Sequence, residues 1–264
     1  MKVARIQLDG TAPVAAVARD GALHPLAHDV AALIGGVEPG AERTAVTGAA
    51  VLPPVFPGKI VAIGLNYLDH IRESGLEAPQ RPLVFAKFPT SVINHEEQIR
   101  IPRKLTERVD WEVELAVVIG ERASRVSEDE ALKYVRGYTI GNDVSARDLQ
   151  FADGQWVRAK SLDTFCPLGP KVVQLDDPQN LKLITRVNGE VMQDSSTSEM
   201  IFSVAELVSF CSHSFTLEAG DVIVTGTPWG CGEFMDPKRS LKHGDVVECE
   251  IEGIGVLRNP VVEI

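Results

Sequence analysis

The chain has 264 residues, of which 44% are hydrophobic and 24% charged, with a formal net charge of −11. That length accommodates one or two domains with a sizeable core, and the acidic balance argues against a nucleic-acid partner, which needs a basic footprint. No uncharged apolar run reaches the roughly 18 residues of a membrane helix, and Arg5 and Asp9 interrupt the N-terminus before a secretory segment can begin. A cytoplasmic protein with no membrane partner is therefore expected. Cys166, Cys211, Cys231 and Cys249 lie far apart with no Cys-x-x-Cys spacing, so reduced core or near-core thiols are expected rather than a zinc knuckle or redox pair.

Val3 to Leu8, Val14 to Ala18 and Ala22 to Leu26 read as short strands, separated by turns that include Asp9-Gly10 and Asp20-Gly21. An Ala-, Gly- and Thr-rich stretch follows, and Pro53-Pro54 and Pro57-Gly58 punctuate the chain. The expected division is a small β-rich N-terminal domain over residues 1–55 and a larger domain over residues 56–264. Lys59 to Gly64 opens the larger part as a strand, leading to a short helix at Tyr67 to Ser74. His70 and Glu73 then share one helical face. A carboxylate so placed sets the imidazole tautomer and raises its basicity, which suits proton abstraction near neutral pH. A surface histidine beside a solvated glutamate has the same spacing.

The run Asp110 to Gly120 reads as one strand, with Trp111, Val113, Leu115, Val117 and Ile119 alternating on one face. Glu112 and Glu114 point the other way, followed by Ala116 and Val118. Two adjacent ionised carboxylates in an apolar strand repel one another and pay for desolvation, and a divalent cation removes both problems. A solvated sheet face accommodates the same pattern. Ser127 with Glu130 predicts a capping box, with Gly137 ending the helix. The β-prone stretch from Tyr138 then ends in Asp143. Glu112, Glu114 and Asp143 would form an all-oxygen set suited to Mg²⁺, Mn²⁺ or Ca²⁺, with positions left open for water and substrate.

Lys87, Arg147 and Lys160 are candidate cations near that set, and Gln150 follows Arg147 by one helical turn. Arginine suits bidentate contact with a carboxylate, and lysine supplies a compact charge for an oxo or enolate oxygen. Leu181 to Val187 and Glu190 to Gln193 flank Asn188-Gly189, a hairpin signal. Ser203 and Glu206 predict a second capping box. The strand Asp221 to Thr225 runs into Gly226, which permits close backbone approach, and Thr227, which offers a hydroxyl and an N–H. Asp245 to Ile251 is a further strand. Long βαβ alternation is absent, which argues against a Rossmann or barrel enzyme. His24, His28, His95, His213 and His243 read as structural or surface residues.

These pieces together resemble the fumarylacetoacetate hydrolase superfamily, from about Lys59 to the C-terminus. The matching segments are Gly64-Leu-Asn-Tyr-Leu-Asp-His70, Lys87-Phe-Pro-Thr-Ser91, Asp110-Trp-Glu-Val-Glu-Leu115, Gly141-Asn-Asp-Val-Ser-Ala-Arg-Asp148, Arg158-Ala-Lys160 and Gly220-Asp-Val-Ile-Val-Thr-Gly-Thr-Pro228. The resemblance implies an α+β, mostly β fold: a mixed β-sandwich roll with peripheral helices after a small N-terminal piece. It implies Mg²⁺ or Mn²⁺ at Glu112, Glu114 and Asp143, with Ca²⁺ as an alternative occupant, and a small 2-oxo acid or diacid as substrate. It also implies His70, Glu73 and Lys160 as catalytic groups, Lys87, Arg147, Gln150, Gly226 and Thr227 as substrate contacts, and a homodimer. Family members include C–C hydrolases, decarboxylases and isomerases. The complete His70–Glu73 pair favours hydrolysis of an acylpyruvate-like 2,4-dioxo acid through an enolate stabilised at the metal. A decarboxylase or tautomerase, or a non-catalytic ligand-binding member, are the alternatives. Trp229-Gly-Cys-Gly232 departs from the Ala- or Val-containing versions of that loop in some relatives.

Overall fold

In the computed structural model, which describes residues 3–8, 11–19, 22–29, 33, 38, 40–46 and 50–264, the central strand runs Val113–Ile119 and is buried along its whole length. It is shorter than the predicted run. Val109–Asp110 forms a separate strand paired with Ser145–Ala146, and Trp111 and Glu112 link the two. Val113–Ile119 sits in a seven-stranded mixed sheet between Val222–Val224 and Val135–Asn142. Ile60–Gly64 and Leu83–Lys87 extend one side, and Cys166–Val173 and Val92–Ile93 the other. Val222–Val224 pairs parallel with Ile60–Gly64, whereas both neighbours of the central strand are antiparallel to it.

Both faces of this strand are covered, for different reasons. Val113, Leu115, Val117 and Ile119 enter an apolar cluster with Leu183, Val247, Ile251 and Leu257. Those partners come from a five-stranded sheet ordered Glu190–Ser196, Lys182–Val187, Val246–Ile251, Gly255–Glu263 and Ile99–Ile101. Ala116 and Val118 face a second cluster with Ile60, Ala62, Val222 and Val224, to which Ala15 and Val17 of the N-terminal strands and Leu26 just after them contribute. The fold is therefore mostly β, as expected, with short helices at its periphery. The N-terminal strands Val3–Gln7, Val14–Arg19, Ala22–Pro25 and Ala50–Leu52 form a four-stranded sheet of their own. The predicted turns at Asp9-Gly10 and Asp20-Gly21 lie outside the described residues.

Local signals fared unevenly. Ser203 and Glu206 form the predicted reciprocal capping box on the helix Val204–Ser214. The hairpin turn at Asn188-Gly189 has both residues at positive φ, 54° and 81°, as a two-residue turn requires. At Ser127 the helix is a single turn, Glu128–Ala131, and the serine side chain makes no capping bond. Gly137 does not end that helix but lies inside the strand Val135–Asn142. The physical need for glycine there is a close approach: a Cβ at 137 would lie 2.5 Å from the Val173 carbonyl oxygen. Cys166, Cys211, Cys231 and Cys249 are free and buried, as expected. No helix among the described residues is long and apolar enough to cross a membrane.

Candidate active site

The register of the central hairpin explains why three carboxylates meet. Glu114 lies opposite Gly141 and Val113 opposite Asn142, so Asp143 leaves its strand beside Glu112. The Asp143 N–H donates to the Glu112 carbonyl at 2.9 Å, and the Asn142 Oδ1 accepts from the Glu112 N–H at 3.0 Å. Ligand oxygens of Glu112, Glu114 and Asp143 all lie within 4.8 Å of one another. The solvated-face reading fails, because Glu112 is 5% exposed and Glu114 and Asp143 are each 1% exposed.

The charges around these groups are unequal. Burial works to raise the Glu112 carboxyl, but Lys160 and Arg147 outweigh it and hold that group at about 2. Glu114 is pushed well up, by burial first and then by Asp143 and Glu112. Burial also opposes the charge on Lys160 and on Arg147, and the surrounding carboxylates outweigh it in both cases. Lys160 ends the short helix Val157–Lys160 and reaches Glu112 and Asp143, the latter at 2.8 Å. Arg147 begins the helix Arg147–Asp153. Its Nε donates to Asp110 at 2.9 Å and its Nη1 to Gln150 Oε1 at 2.9 Å, while Nη2 lies 2.6 Å from Glu112 Oε1.

A divalent cation fits this donor set. The ligand atoms are all carboxylate oxygens, and although Lys160, Lys87 and Arg147 pair with Glu112 and Asp143, no ion pair among the described residues reaches Glu114. Hard oxygen ligands of this kind suit Mg²⁺, Mn²⁺ or Ca²⁺.

His70 lies on the buried side of the helix Leu68–Ser74, and its Nδ1 is 3.1 Å from Glu73 Oε2. The Phe234 ring packs edge-on against the imidazole, with centroids 5.2 Å apart. Glu73 Oε1 accepts the Gly230 N–H at 2.8 Å, which ties the helix to the loop after Val224. The Asn66 side chain anchors the start of the same helix by donating to the Thr225 and Phe202 carbonyls. His70, Arg147, Gln150, Lys160 and Thr227 border the cavity that the three carboxylates line. The paired, buried arrangement, rather than a solvated surface histidine, is what the structure contains.

Two expected substrate contacts are placed differently. The Lys87 ammonium is buried behind the cluster, bonded to Asp143 and to the Lys160 carbonyl, and does not border the cavity. Gly226 donates its N–H to Glu114 Oε2 at 2.7 Å, so it orients a carboxylate. Its φ of 97° and a would-be Cβ only 2.9 Å from Asn66 Cβ require glycine. Trp229 is largely exposed, donates to the Asp194 carbonyl at 3.0 Å, and is not among the cavity residues.

Sequence reasoning gave no role to Asp110 or Gln193. Asp110 is buried, pairs with Arg147 and accepts the Gly232 and Glu233 N–H groups. Gln193 accepts from the Val113 N–H and donates to Thr227 Oγ1 at 2.9 Å, which fixes that hydroxyl. The available signal was a polar residue in an otherwise buried strand position. Asp110→Ala is expected to cost about 3–5 kcal/mol, because it strands a buried guanidinium and leaves backbone donors unpaired. A fall in the denaturant midpoint at unchanged slope would show this; a loss below about 1 kcal/mol would mean that Glu112 alone satisfies Arg147.

Residues 59–262 match the family described as fumarylacetoacetate (FAA) hydrolase, C-terminal. A mitochondrial oxaloacetate tautomerase of Bos taurus is 47% identical over 225 residues, covering 83% of this chain and 71% of its own. The solved fumarylacetoacetate hydrolase of Exiguobacterium antarcticum superimposes with a TM-score of 0.89 at 38% identity, over 100% of both chains. The 2-hydroxyhepta-2,4-diene-1,7-dioate isomerase of Mycobacterium marinum gives a TM-score of 0.81 at 38% identity, covering 100% of this chain and 98% of its own.

Proposed function

Because the chain belongs to the fumarylacetoacetate hydrolase family, we propose that its carboxylate-lined cavity is a divalent-metal-dependent centre for keto–enol chemistry on a short 2-oxo acid. The favoured reaction is tautomerisation, a proton moved between the carbon beside the keto group and the keto oxygen. The observation that carries this reading is the placement of His70, backed by Glu73, and the three carboxylates on one small cavity. Glu112, Glu114 and Asp143 would hold Mg²⁺ or Mn²⁺. Bound there, the cation supplies Lewis acidity that polarises a carbonyl oxygen.

The residues of the chain do the remaining work. His70 takes a proton from the substrate carbon and delivers it to the keto oxygen, or the reverse, and Glu73 keeps the imidazole in one tautomer and stabilises its charged form. Arg147, held flat between Asp110 and Gln150, and Lys160 supply positive charge for the substrate carboxylate, and Thr227 offers its hydroxyl. Phe85, Trp156, Leu76, Phe151 and Phe234 wall the cavity with apolar surface. Such a wall limits water around the developing charge and so strengthens each of these contacts.

This reading moves away from the hydrolysis favoured by sequence alone, since enolisation needs only the proton transfer that the pair performs directly. Cleavage of an acylpyruvate remains the second reading, supported by the same His70–Glu73 contact acting on a water and by the likeness to a fumarylacetoacetate hydrolase.

An ultraviolet assay with Mg²⁺ or Mn²⁺ separates the readings. Enol oxaloacetate, acetylpyruvate and fumarylpyruvate would be compared, with products identified by NMR. Decay of enol absorbance with every carbon retained supports the tautomerase. Pyruvate plus acetate or fumarate moves the assignment to hydrolase, and pyruvate plus CO₂ from oxaloacetate to decarboxylase. No metal-dependent change with any substrate would overturn the proposal.

A further inference from the structure

A second group of metal-ligating side chains lies beside the first and has a different chemistry. His70, Glu73 and Cys231 bring one nitrogen, one oxygen and one sulfur within 4.8 Å of one another. None of them belongs to the carboxylate trio. Cys231 follows the Thr225–Pro228 turn and is fully buried. Its sulfur makes only long polar contacts, 3.9 Å to the Pro228 carbonyl and 3.9 Å from Gln193 Nε2. No strong hydrogen bond would have to be surrendered at that atom.

We propose that His70, Glu73 and Cys231 form a thiolate-containing site for Zn²⁺, and that its occupation switches off the His70–Glu73 pair while the carboxylate centre stays loaded. The donor set is the argument. Nitrogen, sulfur and carboxylate together select zinc, whereas three carboxylates favour magnesium or manganese. Tetrahedral zinc with ordinary bond lengths sets neighbouring ligand atoms about 3.4–3.6 Å apart. The His70–Glu73 contact is already 3.1 Å, so the main adjustment falls on the sulfur.

The surroundings hold the three groups in place. Phe234 packs against the imidazole, and the Gly230 N–H fixes the second oxygen of Glu73. Of the three, only His70 borders the cavity, so an ion would enter past the imidazole. The proton balance is simple: zinc displaces the thiol proton to solvent, His70 binds through a neutral ring nitrogen, and Glu73 binds as carboxylate. No oxidant or reductant takes part. In the free protein burial, together with Asp110 and Glu112, keeps the Cys231 thiol protonated, so zinc must displace that proton to bind, and its affinity should rise with pH.

The test titrates zinc chloride into the manganese-loaded protein and its Cys231→Val and Cys231→Ser variants. One zinc per chain should inhibit the wild type without relief by excess Mn²⁺, and both variants should need at least tenfold more zinc. A second readout is independent of turnover. Co²⁺ in place of zinc should give a thiolate charge-transfer band in the wild type that both variants lack. Anomalous scattering at the zinc edge should place a peak at His70, Glu73 and Cys231. Inhibition equally strong in the variants and reversed by Mn²⁺ would mean that zinc competes only for the carboxylates. That result, or a wild-type protein without the thiolate band, overturns the proposal. Should the enzyme reading itself fail, the band and the scattering peak still decide this site.

Discussion

Glu114→Gln is expected to weaken Mn²⁺ binding by more than about 100-fold, beyond the usual cost of losing an outer-shell partner, and to abolish metal-dependent turnover while the metal-free fold survives. Glutamine keeps the volume and an oxygen for the Gly226 N–H, which now reaches Glu114 at 2.7 Å. It lacks the charge. Burial, then Asp143 and Glu112, push the Glu114 carboxyl well above its ordinary range. A carboxyl raised on folding binds more protons in the folded chain than in the unfolded one, so metal-free stability falls as pH climbs through the folded value. Glutamine removes that slope, and the variant should be at least as stable as the wild type without metal. A divalent cation reverses the sign by favouring the charged form, so Mn²⁺ should stabilise the wild type more as pH rises. Thermal melts across pH with and without Mn²⁺ read all of this, since metal at 100 times Kd contributes about 2.7 kcal/mol. If Glu114→Gln kept the wild-type shift with Mn²⁺, Glu114 would not be a ligand.

The trio was legible because a strand has a period of two residues. Glu112 and Glu114 had to share a face, and the β-prone run ending at Asp143 was short enough to pair beside them. That the same face is buried was not legible. Its cover comes from residues as remote as Ala15, Leu26 and Val222, and no local pattern states which strands will pack there. Gly137 misled for a related reason. Glycine ends helices through its backbone freedom, but at this position the absent Cβ makes room for Val173, a contact set by strand pairing. Lys87 showed the limit of reading cations by motif, because a fully buried ammonium can hold a carboxylate from behind as readily as face a ligand. Cys231 passed as a core thiol, which it is. Only the helix carrying His70, tied to its loop through Glu73 and Gly230, reveals what it stands beside.

His70→Ala is expected to lower turnover by about 10²–10⁴-fold, the range that a positioned general base contributes, with Mn²⁺ affinity near wild type. The separation follows from the geometry. The carboxylate trio is positioned by the central strands and held by Lys160, Lys87 and Arg147, none of which touches the imidazole through a hydrogen bond. The Leu68–Ser74 helix keeps its other ties in the variant, through the Asn66 side chain and through Asp69 to Ser195. Removal of the ring therefore takes away the base and the edge contact with Phe234 and little else. Glu73→Gln should produce a smaller loss, because Gln still orients the ring but cannot stabilise its protonated form. The ratio of the two losses measures how much of the pair's contribution is charge and how much is placement. Added imidazole should restore part of the activity of His70→Ala through the vacated space, and should do nothing for Glu73→Gln. Isothermal titration of Mn²⁺ and solvent exchange of the substrate's C3 protons read the two halves separately. Wild-type C3 exchange in His70→Ala would remove His70 from proton transfer and assign it to substrate placement.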